Sequence, residues 1–204
     1  MAVALTFDDG PHPRWTPEVL STLAGVGVQA TFFVQGERLV ECPDVARDAL
    51  AQGHELQPHC WRHRSHRELR EDEIREDLAR VLAALAELGQ QGPTLWRPPY
   101  GHIERPATYD VAAEHGLEVV TWTLQTCDWA GRSAEQMWSE IRSEERPSAV
   151  LRRDSVVIMH DPVGAETVGL LEKLVPEIRR RGWAIGPLAT GVETPEDPFD
   201  DCRV

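Results

Sequence analysis

Two adjacent carboxylates, Asp8 and Asp9, stand in Thr6-Phe7-Asp8-Asp9-Gly10-Pro11, directly after the apolar run 3–5. A strand that ends in a tight turn presents its last side chains at a rigid edge. That edge is where folds of alternating strands and helices collect ligands and catalytic groups. An Asp-Gly turn with Asp8 as a helix cap accounts for the same residues without any chemistry. The choice between the two rests on whether other strand ends carry matching groups.

His59 and His63 are spaced i, i+4. On a helical turn that spacing puts both imidazoles on one face, where they can meet a single cation. The stretch also carries Arg62, Arg64, His66 and Arg67, so a solvated basic face is the competing account. Asp9 as a third ligand favours the metal, because two His and one carboxylate leave a coordination position open for water, as a hydrolytic metal needs. Zinc suits that donor set, and manganese, cobalt, iron or nickel accept the same ligand types.

Three further strand ends carry polar groups. In Arg97-Pro98-Pro99-Tyr100-Gly101 the prolines stiffen the backbone, so the amides of Tyr100 and Gly101 are held in a fixed direction and can serve an oxyanion. Arg97 is open to two readings, a clamp on a carboxylate at the strand mouths or an ordinary surface ion pair. Asp128-Trp129 and His160-Asp161 follow two later apolar runs.

The elements that must position these groups are legible as periodicity. Runs near 3–7, 30–34, 54–57, 94–97, 118–122, 155–159 and 183–187 read as strands, and 16–24, 44–51, 72–88, 107–115, 134–143 and 167–181 carry helical apolar spacing. Gly25, Gly53, Gly89, Gly116 and Gly182 stand where left-handed C-caps belong. Strand, crossover helix and parallel strand make an α/β fold, either a barrel or a doubly wound sheet.

A chain of 204 residues without a Gly/Ser- or Pro-rich linker is expected to form one domain over 1–190, followed by a loose acidic tail over 191–204. The net charge of −13 argues against nucleic acid and anionic membrane as partners. No run is apolar and long enough to span a bilayer, and no leader precedes the first strand. The expected location is therefore cytoplasmic as the chain stands, and extracytoplasmic if an export signal precedes it. The four cysteines, at 42, 60, 127 and 202, lack C-x-x-C spacing, so reduced thiols are the expectation, with Cys60 and Cys127 as small core residues.

Taken together, 6–11, 59–63, 97–101, 128–129 and 158–160 resemble, in order and interval, the five motifs of the polysaccharide deacetylases, also called NodB-homology proteins or carbohydrate esterase family 4. The resemblance runs from about residue 3 to about residue 188. It implies an α/β fold, a distorted (β/α) barrel with about seven parallel strands, and a metal-dependent hydrolase that removes acyl groups from amides, usually of N-acetylglucosamine. Matched residue by residue, it implies Asp9, His59 and His63 as metal ligands, Asp8 as general base, Arg97 as the group positioning that base, and Asp128 as the partner of the general acid His160. It also implies the Tyr100 amide as an oxyanion donor, with Tyr100, Trp129 and Ile158 toward substrate. Four positions depart from the family pattern: Cys60 where Ser or Thr is usual, Arg64 where Pro is common, and Thr123 and Gln125 where Asp is common.

The expected function is removal of an N-acyl group, acetyl first, from an amino sugar or related small amide. The lost acidic groups at 123 and 125 and the −13 charge favour a small neutral or cationic substrate over a long anionic glycan. The alternatives are a cell-wall peptidoglycan or chitooligosaccharide deacetylase, and a non-catalytic binding protein on the same barrel. Oligomeric state is not legible.

Overall fold

The apolar run at the N-terminus becomes β1 (Val3–Asp8), buried along its whole length. Strands covered on both faces read as continuous apolar runs, which is the signature of a parallel sheet under helices. The structure is a computed structural model and describes residues 2–195 and Cys202, apart from Gln91 and Glu145. In chain order β1 is followed by α1 (Trp15–Val26), β2 (Thr31–Gln35), α2 (Gly36–Glu41), α3 (Pro43–Ala51), β3 (Glu55–Cys60), α4 (Glu71–Glu87) and β4 (Leu95–Trp96). Then come α5 (Pro106–Glu114), β5 (Glu118–Val119), β6 (Leu124–Gln125), α6 (Ala134–Ser143), β7 (Val156–His160), α7 (Ala165–Arg180) and β8 (Ile185–Gly186).

All pairings among the described residues are parallel. One sheet runs β3-β2-β1-β7-β6, with β8 beside the start of β1, and β4 and β5 form a separate pair. The two sheets meet where the Arg97 N–H donates to the Pro58 carbonyl at 3.3 Å, so the barrel is distorted and not closed by ladders. None of the helices among the described residues is long and apolar enough to cross a membrane.

Period two along the strands sorts the side chains. Leu5, Phe7, Val157 and Met159 point to the helices, in the large cluster with Leu23, Leu171 and Leu174. Ala4, Phe33, Leu95, Val156 and Ile158 fill the interior with Val120, Trp122 and Leu188. Continuing each interior row two residues further brings Asp8 after Thr6, Gln35 after Phe33, Arg97 after Leu95 and His160 after Ile158. The interior is thus apolar at its floor and polar at the carboxyl ends of its strands.

Among the described residues there is one strand more than the seven expected. The run 118–122 yields only β5, because Val120 and Trp122 turn into the interior and the chain rejoins the main sheet as β6 beside Val157 and Ile158. α2 was not expected, and α1 continues through Gly25 to a left-handed cap at Gly27, with φ 62°. Gly53, Gly89, Gly116 and Gly182 take positive φ as expected.

Two expectations are overturned. Cys127 and Cys202 form a disulfide, leaving Cys42 and Cys60 as thiols. Pairing over a separation of 75 residues leaves no local spacing signal, which is why the cysteine pattern did not show it. The described part of the tail is also not loose. The Thr121 N–H donates to Thr194 Oγ1 at 2.9 Å, the Thr121 hydroxyl to the Pro195 carbonyl at 2.5 Å, and Cys202 is buried. Residues 196–201 and 203–204 lie outside the described residues.

Candidate active site

Asp9, His59 and His63 come together at the mouth of the barrel. His59 Nε2 and His63 Nε2 each stand 3.3 Å from Asp9 Oδ1. Asp9 reaches this position through a left-handed backbone, φ 72°, just past the end of β1, and such a conformation in a non-glycine residue has to be held by its surroundings. Gln35 Nε2, at the end of β2, donates to the same Oδ1 at 2.7 Å. Burial works to raise the Asp9 carboxyl, but the adjoining His59 imidazole, with the charges of His63 and His160, holds it well below the usual carboxylate range.

The histidine pair is not helical. His59 is the fifth residue of β3 and His63 lies in the irregular segment beyond it. Asp77 on α4 makes the bend, accepting the Trp61 N–H at 2.6 Å and the Arg62 N–H at 3.2 Å, so a side chain distant in sequence does what a helical turn was expected to do. Arg62 and Arg67 do form a solvated face, with 66% and 56% of their side chains exposed, whereas His66 is buried, bonded to Thr108 and pushed down to about 4 by that burial.

The donor set fits a divalent metal. His59 Nδ1–H donates to the Arg97 carbonyl at 2.6 Å, which leaves Nε2 as the lone-pair nitrogen, and that buried atom has no hydrogen-bond partner. An orphaned buried acceptor 3.3 Å from a carboxylate oxygen is satisfied by a cation between them. Tyr100 flanks the cluster, its ring centroid 4.4 Å from that of His63, with 54% of the residue exposed and a left-handed φ of 62°.

Beneath this cluster, Asp8 is paired with Arg97 at 2.8 Å. Neither is a surface group: Arg97 is fully buried and Asp8 is 2% exposed. The guanidinium also donates to Thr6 Oγ1 and the Thr121 carbonyl, and lies 4.1 Å from the Phe33 ring centroid. Removing one member of a buried pair strands the other charge. Arg97→Met is therefore expected to lower stability by about 3–5 kcal/mol, and adding Asp8→Asn to it should restore part of that loss. Urea titration of the two variants checks this, and an unchanged midpoint for Arg97→Met would remove the stabilising role.

Across β1 from Asp8, in register on β7, stands His160. Its Nδ1–H donates to Asp128 Oδ1 at 2.8 Å, while its backbone N–H and the Thr167 hydroxyl donate to Asp128 Oδ2 at 2.7 and 2.8 Å. Burial of the imidazole opposes protonation, but the Asp128 charge and bond outweigh it and raise His160 to about 9. Trp129, adjacent in the chain, is 49% exposed. Ile158 is 4% exposed, on the same side of β7 as His160 and two residues below it, in the interior floor.

Gln35, Asp77, Thr167 and the Thr16–Asp161 contact escaped the sequence reading. Gln35 alone had a signal, since it ends a strand. The buried Asp161 carboxyl is raised to about 7 by that burial and accepts from Thr16, and a Cβ on Gly10 would overlap it, so the turn after Asp9 needs glycine there. Thr123 and Gln125 prove to be structural: Thr123 Oγ1 accepts the Val156 N–H at 2.9 Å and Gln125 Oε1 accepts the Trp122 indole N–H at 3.1 Å. Cys60 is buried, and burial pushes its thiol well above the ordinary value.

Residues 1–120 match the family model described as polysaccharide deacetylase. The chain belongs to the polysaccharide deacetylase family. It is 31% identical over 199 residues to a peptidoglycan-N-acetylglucosamine deacetylase of Bacillus cereus, covering 96% of this chain and 70% of that one. With a chitooligosaccharide deacetylase of Bradyrhizobium it shares 33% identity over 201 residues, 92% of this chain and 89% of the relative. Among solved structures, the family 4 carbohydrate esterase from Streptomyces lividans in complex with acetate superposes with a TM-score of 0.84 at 27% identity, covering 96% of this chain and 98% of that one. The α/β barrel expected from the motifs is the fold of this polysaccharide deacetylase.

Proposed function

We propose that this polysaccharide deacetylase hydrolyses the N-acetyl group of N-acetylglucosamine units in a glycan, with zinc as its metal. The observation that carries the reading is the convergence of three groups on one barrel mouth: the Asp9–His59–His63 cluster, the Asp8–Arg97 pair and the Asp128–His160 pair. Asp9, His59 and His63 would hold a divalent metal, which would supply Lewis acidity toward the amide carbonyl and water. Asp8, kept oriented by Arg97, accepts the proton of the attacking water. The Tyr100 amide donates to the oxygen that becomes negative as the tetrahedral centre forms. His160 enters as a cation because of Asp128 and gives its proton to the departing amine. Ile158 lies under this centre as an apolar floor for the acyl methyl.

A sugar unit is favoured over a small amide by two observations. Tyr100, against His63, and Trp129, next to Asp128 in the chain, present exposed aromatic surface, and aromatic rings have the amphipathic character that sugar faces need. The loss of acidic residues at 123 and 125 carries no substrate information once those side chains are seen bonded within the fold. The relatives named for peptidoglycan and chitooligosaccharides point the same way. The Cys127–Cys202 disulfide supports an oxidising, extracytoplasmic location over the cytoplasmic one.

Acetate release from N-acetylglucosamine oligomers of increasing length, against small N-acetyl and N-formyl amines, tests the substrate. kcat/KM should rise with oligomer length and be abolished by chelation, then return on addition of zinc. Equal rates across lengths, with faster turnover of the small amines, would overturn the glycan reading.

A further inference from the structure

Asp128 sits on a segment that has little regular structure to hold it. β6 is two residues long, Asp128–Ala130 is a single 3-10 turn, and Cys127 immediately before it is left-handed, with φ 58°. A non-glycine residue in that conformation is strained, and it persists only where its surroundings enforce it. Here two devices do so. Cys127 is joined to Cys202, and Arg146 donates to the Gln125 carbonyl at 3.2 Å and to Cys127 Sγ at 3.1 Å. Cys202 is itself fixed, since Arg132 donates to its carbonyl at 3.3 Å. Glu140 on α6 pairs with both Arg132 and Arg146, which makes one network of the tail and the Asp128 turn.

We propose that Cys127, Cys202 and Arg146 are positioning residues for the general-acid pair: the C-terminal tail, stapled to the residue before Asp128, holds that carboxylate where it can fix His160. Without the staple Cys127 relaxes toward a right-handed or extended backbone and carries Asp128 with it. The bonds from the His160 and Thr167 groups resist that movement, so the pair is loosened rather than lost. The role rests on the deacetylase reading above, since only a proton-donating His160 makes the position of Asp128 matter to turnover.

The test compares the parent with the Cys127→Ser/Cys202→Ser double variant, using zinc-loaded protein and an N-acetylglucosamine oligomer. kcat should fall about 10-fold or more, as small misplacements of reacting groups do. KM and zinc stoichiometry should stay at parent values, and the low-field proton resonance of the His160 Nδ1–H bonded to Asp128 should broaden or vanish. Arg146→Gln keeps the disulfide and should move kcat and the resonance in the same direction by less, which covers a double variant that does not fold. Cys42→Ser, a thiol remote from the network, should match the parent. A lowered melting temperature with kcat and the resonance unchanged would make the disulfide a stabiliser only and overturn the positioning role. A parent inactive on every substrate would overturn the deacetylase reading instead, and the resonance would still decide whether the staple holds the pair.

Discussion

His63→Ala should yield a folded protein that no longer binds its metal and no longer turns over. In the proposed site three side chains supply the protein's share of the coordination, and His63 is 28% exposed, so its removal should leave the barrel intact while taking away one ligand of three. Losing a mere outer partner of a ligand lowers affinity or activity by about 10–100-fold, and loss of a ligand itself should exceed that range. His59→Ala should match it in metal loss and add a stability penalty of about 1–3 kcal/mol, because the buried Arg97 carbonyl loses its donor. Elemental analysis and calorimetric titration with zinc check the first effect, and thermal melts of the metal-free proteins check the second. A His63→Ala protein holding one tight equivalent of metal with near-parent turnover would show that the cluster is not the metal site.

Separating base from acid is the second large effect. Asp8→Asn and His160→Ala should each keep the metal and lower kcat by about 10²-fold or more, the range for loss of general acid–base help. The pH dependence gives the sign. His160 is raised to about 9 in the fold, so it is protonated at neutral pH, and if it serves as the proposed acid, activity should decline as pH rises through about 9. The same linkage means that the stability its charge contributes is fully present below its ordinary value near 6.5 and is lost as pH rises through about 9. Asp128→Asn removes the charge that holds the proton, and the basic limb should move to lower pH. A basic limb unmoved in Asp128→Asn would take His160 out of the acid's role, with the measured values read as those of a coupled site.

Much of this site was legible because chain chemistry and strand period coincide. Asp8, Arg97 and His160 each end an apolar run, and a parallel fold places strand ends on one side, so three of the groups could be gathered without knowing a single distance. The His59–His63 pair was recognised for the wrong geometric reason. Its spacing fits a helical turn, yet His59 lies within a strand, and the bend that returns His63 is made by Asp77 on α4. Nothing in a local window connects residue 77 to residue 62. Thr123 and Gln125 failed in the opposite direction: polar residues near a motif suggested substrate chemistry, but their partners are Val156 and Trp122.

By itself the sequence determined the alternation of strands and helices, the strand ends that bear the candidate site's groups, and the family. These follow from residue type and short spacing, which local backbone geometry translates directly. Only the tertiary structure decided that Arg97 is buried against Asp8, that Gln35 joins the Asp9 cluster, and that Cys127 finds Cys202. Such pairings depend on how parallel strands and the returning tail are brought side by side. No local period encodes a contact between residues 89, 26 or 75 positions apart.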